Sequence, residues 1–339
     1  MKIAYILYPE VIISNKSNGV RSQAETWAKL LRNNGHIVDL INNWGDYSWT
    51  DYDIIHIFGA GGNWVENVTR RLIHYNNRIV FSPIIDPVNS ISNHKFKLKL
   101  LLGKISSGKI DSNAYTLYNQ FKYVNKILVR SDAELDYVTK FLGVDNSKLS
   151  IVPISYTSKY ENEKYHNAKE NFCFHISSIY QTRKNVLRLI EAAKKYNFRL
   201  ILAGAKGTPE QFLPIKKAIG DNNNIKILGF ISEEEKIRLY KSAKVFALPS
   251  IQEGVGIVAL DAALFGCEIV LTNIPGPKFY FNNMVQLVNP YDINDLGVSI
   301  KKALDDDVKF QPSLRNFILK EYSPNAVLKK IISVYTSIC

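Results

Sequence analysis

The fold is constrained most by the stretch from Pro249 to Asp261, which reads Pro-Ser-Ile-Gln-Glu-Gly-Val-Gly-Ile-Val-Ala-Leu-Asp. A short apolar strand pattern ends at Pro249, two glycines follow, and an apolar helical pattern begins near Gly256. Such a unit places bare backbone N–H groups and the positive end of a helix dipole where an anion can bind. Gly254 and Gly256 would let a ligand approach the backbone closely. Two glycines before a helix are weak evidence alone, so the interpretation depends on the surrounding sequence.

The same stretch carries two acidic residues at different depths. Glu253 stands at the mouth of the predicted helix, and Asp261 lies about one and a half turns inside it. Because carboxylates accept hydrogen bonds from hydroxyl groups, this pair can contact two parts of one elongated ligand that carries sugar or ribose hydroxyls.

A second polar cluster lies upstream, between a predicted strand, Phe172–Ile176, and a predicted helix, Asn185–Tyr196. It reads Ser-Ser-Ile-Tyr-Gln-Thr-Arg-Lys-Asn from residue 177 to residue 185. The adjacent cations Arg183 and Lys184 suit a diphosphate, which arginine can bind in bidentate fashion. The alternative is a solvated start of a helix, but cations are unfavourable near a helix N-terminus, which favours a binding role.

Short apolar strands alternate with helical patterns along the whole chain, which predicts an α/β protein with doubly wound parallel sheets. Ligands of such sheets bind beyond the carboxyl ends of the strands. The predicted strands of the first half are 2–8, 37–41, 54–58, 78–82, 126–130 and 149–152, and those of the second half are 172–176, 199–203, 225–228, 245–248, 269–271 and 285–288.

The chain length and one polar stretch predict two domains. At 339 residues, the chain has room for two cores. Residues 156–170 are rich in Glu, Lys, Asn and Tyr without apolar periodicity, which is typical of a linker. We therefore expect domains at 1–155 and 171–320, with a C-terminal segment, 321–339, whose helix packs back toward the first domain.

Composition excludes several classes of protein. A hydrophobic fraction of 46% with 22% charged residues is that of a globular chain rather than a disordered one. No stretch approaches the length of a membrane span. The short apolar N-terminus runs into Pro9-Glu10 rather than small residues, so we expect it to be a first buried strand and not a signal peptide. Three scattered cysteines favour a reducing cytoplasm and have no metal-ligand spacing, so no metal cofactor is expected.

Positive charge is concentrated in one part of the first half. Lys and Arg exceed Asp and Glu by 12 in the whole chain, and residues 87–130 contain eight basic residues but one acidic residue. The centre of this stretch mixes leucines with Lys95, Lys97, Lys99 and Lys104, a composition suited to the surface of an anionic membrane. The alternative is a solvated helix whose lysine stems cover the core. Nucleic acid is not expected as a partner, because no nucleic-acid-binding motif accompanies the charge.

Taken together, these motifs resemble the GT-B glycosyltransferases of family 4, also described as glycosyl transferases group 1, retaining enzymes that use nucleotide-sugar donors. The resemblance covers nearly the whole chain and is most specific from Phe172 to Gly276. It rests on the Arg-Lys pair, on Leu-Gly-Phe-Ile at 228–231, on Glu-Gly-Val-Gly at 253–256, on the acid Asp261 that seven residues separate from Glu253, and on the segments 264–270 and 273–276. The fold that it implies is two Rossmann-like domains facing a central cleft.

The resemblance also implies roles for individual residues. Arg183 and Lys184 would neutralise the leaving diphosphate, and Glu253 would hold hydroxyls of the donor sugar. The remaining donor-binding positions that it implies, including the first loop and the wall of the base pocket, are Gly19, Ser178, Gly229, Phe230, Ile231, Gly254, Val255, Gly256 and Asp261. The reaction would need no metal, because these groups stabilise an oxocarbenium-like centre and a departing anion.

The sequence departs from the family pattern at two positions. Asp261 stands where the family usually has Glu, which shortens the side chain by one methylene. Asp86 follows the fourth predicted strand, where the family often has His, and it either contacts the reacting sugar or caps a turn. His56, at the end of the third predicted strand, is either a ligand group or a histidine satisfied within the core.

The resemblance and the basic stretch thus predict a cytoplasmic glycosyltransferase with a peripheral contact on the inner face of the cell membrane. It would move a hexose-type sugar from a nucleotide-diphosphate sugar, UDP in preference to GDP, to a glycan or lipid-linked glycan in bacterial surface polysaccharide synthesis. The alternatives are a non-catalytic nucleotide-sugar-binding or assembly protein of the same fold and a nucleotide-sugar epimerase.

Overall fold

The structure, a computed structural model, describes residues 1–8, 11, 19–42, 44–59, 62–85, 93–110 and 113–339. These form two compact units, Met1–Ile154 with Pro324–Cys339, and Ser155–Ser323. In the described ranges, no helix combines the length and the hydropathy that a membrane crossing requires.

The first unit contains a six-stranded sheet and its flanking helices. Its strands are β1 (Lys2–Leu7), β2 (Ile37–Leu40), β3 (Ile54–Gly59), β4 (Ile79–Pro83), β5 (Lys126–Val129) and β6 (Leu149–Ile151). Its helices are α1 (Gly19–Asn33), α2 (Asn63–Leu72), α3 (Asn93–Ile105), α4 (Asn113–Asn119), α5 (Asp132–Asp136) and, from the C-terminal segment, α13 (Pro324–Thr336).

The second unit repeats this architecture. Its strands are β7 (Glu170–Ile176), β8 (Leu200–Ala203), β9 (Ile225–Gly229), β10 (Ala243–Leu248), β11 (Glu268–Thr272) and β12 (Gln286–Val288). Its helices are α6 (Val186–Lys195), α7 (Pro209–Ile219), α8 (Glu233–Ser242), α9 (Ile257–Leu264), α10 (Pro275–Lys278), α11 (Ile293–Leu304) and α12 (Ser313–Tyr322).

Both sheets are parallel and doubly wound. The strand orders are β2-β1-β3-β4-β5-β6 and β12-β11-β10-β7-β8-β9. In each sheet the first strand of the unit, β1 or β7, lies in the interior. The strands that follow it are added first on one side of it and then on the other. The predicted fold class is therefore confirmed, and all twelve predicted strands are present within one or two residues of their expected bounds.

The core of the first unit includes a buried polar chain. Tyr5 and Tyr335 are joined through their hydroxyls at 3.0 Å, and Tyr335 also contacts Nδ1 of His56. Nε2 of His56 lies 2.8 Å from the hydroxyl of Ser82. His56 is fully buried, and burial lowers its pKa well below the ordinary value. Its two ring nitrogens are satisfied by protein groups, so His56 is a core histidine.

Helix caps in the second unit show where local sequence rules held. Ser232 precedes α8 and makes half of a capping box, because its hydroxyl accepts a hydrogen bond from the N–H of Glu235 at 3.2 Å. The Glu235 carboxylate does not complete the box but pairs with Arg238, because the two residues are neighbours on the exposed face of α8. A complete capping box begins α7 instead, between Thr208 and Gln211.

Candidate functional site

The candidate site lies in the second unit, where the winding of its sheet reverses. β7 and β10 are hydrogen-bonded neighbours in the interior of the sheet, with β8 on the other side of β7. The loops after β7 and β10 therefore leave the same edge side by side, at the position where doubly wound sheets bind ligands. The topology thus brings together the two motifs that the sequence separates by about seventy residues.

A backbone hydrogen bond and an ion pair join these two loops. The N–H of Ile251 donates to the carbonyl oxygen of Arg183 at 2.8 Å. Lys184 Nζ donates to a carboxylate oxygen of Glu253, and the two side chains are only 12% and 15% exposed. The Ser250 hydroxyl lies 3.2 Å from the same oxygen. The side chains predicted to act on a diphosphate and a sugar are therefore direct partners in this structure.

Arg183 is held differently from Lys184. Its Nε donates to the side-chain oxygen of Gln181 at 3.0 Å, and a terminal nitrogen lies 3.4 Å from the carbonyl oxygen of Gln252. The side chain is exposed, and among the described residues no carboxylate pairs with it. A guanidinium that is oriented but carries no ion pair retains N–H donors for an anionic ligand.

Asn185 fixes the turn that carries the two cations. It adopts a left-handed conformation with φ of 59° and ψ of 29°, which asparagine tolerates better than most residues. Its side-chain amide donates to the carbonyl oxygens of Pro249 at 3.0 Å and Pro290 at 2.7 Å. Asn185 is therefore a site residue beyond those predicted from the sequence, where its place at the start of a predicted helix was the only sign of it.

His175 is a second residue that the sequence argument missed. It is fully buried at the end of β7, with Nδ1 2.8 Å from the carbonyl oxygen of Ala247 and Nε2 2.7 Å from the Ser177 hydroxyl. Burial lowers its pKa to about 4, and the positive charge of Lys184 acts in the same direction. The neutral ring therefore ties the end of β7 to β10 by donating from Nδ1 to Ala247, while Nε2 accepts from the hydroxyl of Ser177.

Close backbone packing explains the glycines of the loop after β10. A Cβ added to Gly276, at the start of α10, would lie 2.3 Å from the carbonyl oxygen of Gly254. Gly256 has φ of 76° and precedes α9 without a side-chain cap. Val255, which lies between Gly254 and Gly256 in the loop, is buried. The loop therefore runs against bare backbone, and the first turn of α9 has no capping side chain beside it.

The residues predicted to line the base pocket lie at an edge of the sheet. Gly229 ends β9 with φ of 74°, and its carbonyl oxygen accepts from the N–H of Gly204 at 2.7 Å. Phe230 follows with its ring 89% exposed, and Ile231 is half-buried. Ser178, half-buried after β7, accepts at its carbonyl from the N–H of Gln181. An exposed ring at this edge is free to stack, but the base contact stays a prediction.

Asp261 is less accessible to a ribose hydroxyl than the family resemblance implied. It lies inside α9 with 3% of its surface exposed, and both carboxylate oxygens accept hydrogen bonds from Thr157. Burial raises its pKa to about 6 against the lowering effect of those bonds. The carboxylate is occupied within the second unit, so ribose binding by Asp261 stays a prediction that this arrangement does not favour.

The remaining predicted residues belong to the first part of the chain. Gly19 is the first residue of α1 and is exposed, with nothing within 4 Å of an added Cβ. Asp86 lies outside the described residues. Lys95, Lys97, Lys99 and Lys104 are exposed on α3. Among the described residues, no cluster of three or more His, Cys, Asp or Glu side chains could hold a metal ion.

Comparison with known sequences identifies a family that matches the second unit, and relatives of the chain. The family described as glycosyl transferases group 1 matches residues 157–326. O-antigen chain mannosyltransferase B of Escherichia coli is 26% identical over 152 residues, which are 43% of this chain and 40% of that protein. The chain therefore matches less than half the length of this relative.

Solved structures resemble the whole chain. Sucrose-phosphate synthase from Thermosynechococcus elongatus aligns over 100% of this chain and 99% of its own, with a TM-score of 0.73 and 14% identity. Anabaena HepE, solved in complex with UDP and glucose, aligns over 99% of this chain and 100% of its own, with a TM-score of 0.69 and 15% identity. At these identities the likeness concerns the fold, which is GT-B.

Proposed function

This chain belongs to the glycosyl transferases group 1 family, and we propose on that basis that it is a glycosyltransferase acting on nucleotide-diphosphate sugars. The donor would carry a hexose-type sugar, and the acceptor would be a glycan or lipid-linked glycan in bacterial surface polysaccharide synthesis. The observation that carries this proposal is the joining of the Arg183–Lys184 turn to the Glu253 loop where the sheet winding reverses.

The two cations would act on the diphosphate. Arg183 offers N–H donors that no carboxylate of the described ranges pairs with, and the ammonium of Lys184 has three donors, of which Glu253 takes one. Charge-assisted hydrogen bonds to the phosphate oxygens would strengthen as the diphosphate departs with increasing negative charge. These two side chains would thereby lower the barrier for breaking the bond to the sugar.

Glu253 would hold the donor sugar. Its carboxylate is fixed by Lys184 and Ser250, yet each carboxylate oxygen accepts more than one hydrogen bond. A hydroxyl of the sugar would bind beside the ammonium, so that one ion pair positions the sugar and the diphosphate together. We propose further that configuration is retained, with front-face attack and a donor phosphate oxygen taking the acceptor proton, and that no metal is needed.

Two findings support parts of the donor assignment. HepE was solved with UDP and glucose, and the E. coli relative is named for mannose, which agree with a uridine nucleotide and a hexose respectively. The exposed ring of Phe230 offers a stacking surface for a base. We therefore propose a UDP-sugar donor in preference to a GDP-sugar donor.

We also propose peripheral contact with the membrane as the setting for a lipid-linked acceptor.

The first experiment is a thermal-shift panel of UDP, GDP, CMP and their sugar conjugates. It compares the wild type with Arg183→Ala and with Arg238→Ala, a control that removes an exposed arginine from α8 of the same unit. A ligand at a hundred times its Kd stabilises the folded state by about 2.7 kcal/mol. We expect one nucleotide to stabilise the wild type and the control but not Arg183→Ala. If no nucleotide stabilises the wild type, the assignment of the donor site is wrong.

The alternative is a nucleotide-sugar-binding protein of the same fold without turnover. The occupation of Asp261 by Thr157 favours it, because a donor-site carboxylate of the family pattern is then engaged elsewhere. This alternative predicts the same thermal shift with neither sugar transfer nor donor hydrolysis. An epimerase would instead change the configuration of the donor sugar without any acceptor.

A further inference from the structure

Helix α3 has two apolar faces. Phe96 and Leu100 are buried in the core of the first unit. Leu98, Leu101, Leu102 and Ile105 are between 42% and 74% exposed. Because successive residues of a helix turn by about 100°, these four gather on the side opposite Phe96 and Leu100. We call these four residues the outward stripe.

Lysines border the outward stripe on both sides. By the same helical geometry, Lys95 and Lys99 lie along one border, and Lys97 and Lys104 along the other. The sequence from Asn93 to Ile110 contains no Asp or Glu. An apolar strip between two rows of cations on long flexible stems is the arrangement of a helix lying in the plane of a membrane interface.

Positive charge continues beyond α3 on the side of Lys104. Its ammonium lies 3.8 Å from the centre of the Tyr118 ring. Lys104, Lys122 and Lys148 line one cavity of about 480 Å³, in which Asp145 is the acidic lining residue. The surface that borders the outward stripe is therefore strongly cationic over more than one element.

The borders of the outward stripe also indicate which partner fits. A second copy of this chain, docked face to face, would bring lysine rows against lysine rows, and like charges repel. An anionic bilayer offers phosphate groups to the lysines and an apolar boundary to the leucines, so both parts of the surface find complementary groups. An apolar strip of this kind left in water is typical of a docking surface.

We propose that the outward stripe of α3 docks this protein on an anionic phospholipid bilayer, with its leucines at the boundary between headgroups and acyl chains and its lysines on the phosphates. This inference deepens the peripheral membrane contact of the proposed function, on which it rests for its biological setting. It requires no turnover, so it can be tested separately from the transfer reaction.

The test is co-sedimentation of the full chain with vesicles of phosphatidylcholine alone and of phosphatidylcholine mixed with phosphatidylglycerol. We expect the wild type to bind the anionic vesicles and to be released by high salt. The double variant Leu101→Gln/Leu102→Gln should lower the partition coefficient at least ~10-fold, since it removes two leucines that docking would transfer from water to the bilayer. Lys95→Gln/Lys97→Gln should lower it about 25-fold, or roughly fivefold for each cation.

Matched variants on the second unit control for general changes in surface polarity. Leu187→Gln/Leu213→Gln replaces two exposed leucines, and Lys216→Gln/Lys217→Gln replaces two exposed lysines. Both should bind vesicles like the wild type. The proposal is wrong if these controls lose as much binding as the α3 variants, or if the wild type binds both vesicle types equally or neither.

Hydrogen–deuterium exchange of the wild type locates the contact without any variant. Amides of residues 93–110 should exchange more slowly when anionic vesicles are added. Protection of another segment instead, or a dimer that dissociates on Leu101→Gln/Leu102→Gln without vesicle binding, would overturn the proposal. The thermal shift with nucleotides, read on the same variants, reports the donor site independently, so failure of docking and failure of the proposed function are distinguishable.

Discussion

Thr157 holds both carboxylate oxygens of Asp261: its N–H donates to Oδ1 at 2.8 Å, and its hydroxyl donates to Oδ2 at 2.7 Å. The two residues are 104 positions apart, and Thr157 belongs to the polar stretch that the sequence marks as a linker. The bond pair fastens the beginning of the second unit to the interior of α9. Nearby, Tyr160 packs its ring against Phe265 at 5.1 Å, so this stretch is part of the packed second unit.

The first prediction concerns the pH dependence of Asp261. Its pKa in the folded protein is about 6, compared with 3.8 for an ordinary aspartate, so the folded state holds the proton more tightly than the unfolded chain. Its contribution to the free energy of unfolding therefore falls as pH rises from about 4 to 6, by up to about 3 kcal/mol. Asp261→Asn should lack this loss.

The measurement is urea unfolding of the wild type and Asp261→Asn across that range of pH. The difference between the two proteins is the relevant quantity, because burial lowers the pKa of His56 and His175. Those histidines make stability rise with pH, from their lowered pKa up to the ordinary value near 6.5, and so oppose Asp261. A wild-type-to-variant difference that is constant with pH would contradict the prediction.

The second prediction concerns transfer activity. Arg183→Ala and Glu253→Ala should each lower kcat/KM at least ~100-fold, because in the proposed reaction each side chain would make a charge-assisted contact to the transition state. The matched controls are Arg238→Ala and Glu235→Ala, which break an exposed ion pair on α8 of the same unit. Those two should stay within a few-fold of the wild type. Steady-state kinetics with a nucleotide-sugar donor provide the values, and losses of tenfold or less in both site variants would exclude the assignment.

The third prediction separates the two roles of Asn185. Asn185→Gly keeps the left-handed conformation but removes the hydrogen bonds to Pro249 and Pro290, which should lower the free energy of unfolding by about 1–3 kcal/mol. Asn185→Ala removes the same hydrogen bonds but, unlike the Gly variant, keeps a β-carbon in the left-handed region, which should make it less stable than Asn185→Gly by roughly 1 kcal/mol. Denaturant unfolding of both variants gives the two increments. Equal stability of the Gly and Ala variants would show that backbone strain is not relevant at this position.

The fourth prediction concerns the buried polar chain of the first unit. Tyr335→Phe leaves the Tyr5 hydroxyl and Nδ1 of His56 without their shared partner, which should destabilise the protein by about 1–3 kcal/mol. Tyr291→Phe is the control, because Tyr291 is largely exposed on the second unit. Thermal and denaturant unfolding of the two variants would be compared. A Tyr335→Phe protein as stable as the control would mean that water replaces the lost hydroxyl.

Local patterns were sufficient for the architecture. Strand and helix positions came from apolar periodicity, and the parallel, doubly wound arrangement came from the alternation of strands and helices, because neighbouring residues alone determine these patterns. The motifs at 183–184 and 253–256 were also visible, since chemistry-bearing residues stood at the ends of predicted strands. What the sequence could not show was which partner each of these side chains would have.

The partners depend on contacts between distant parts of the chain. The sequence by itself determined two doubly wound sheets, the loops that carry cations and carboxylates, and the concentration of lysine and leucine in α3. Only the tertiary structure decided that Lys184 pairs with Glu253, that Asp261 is taken by Thr157, and that the leucines of the outward stripe face away from the core. The physical reason is that periodicity is a property of neighbours along the chain. A hydrogen bond or a buried surface depends instead on the sheet order that brings remote segments together.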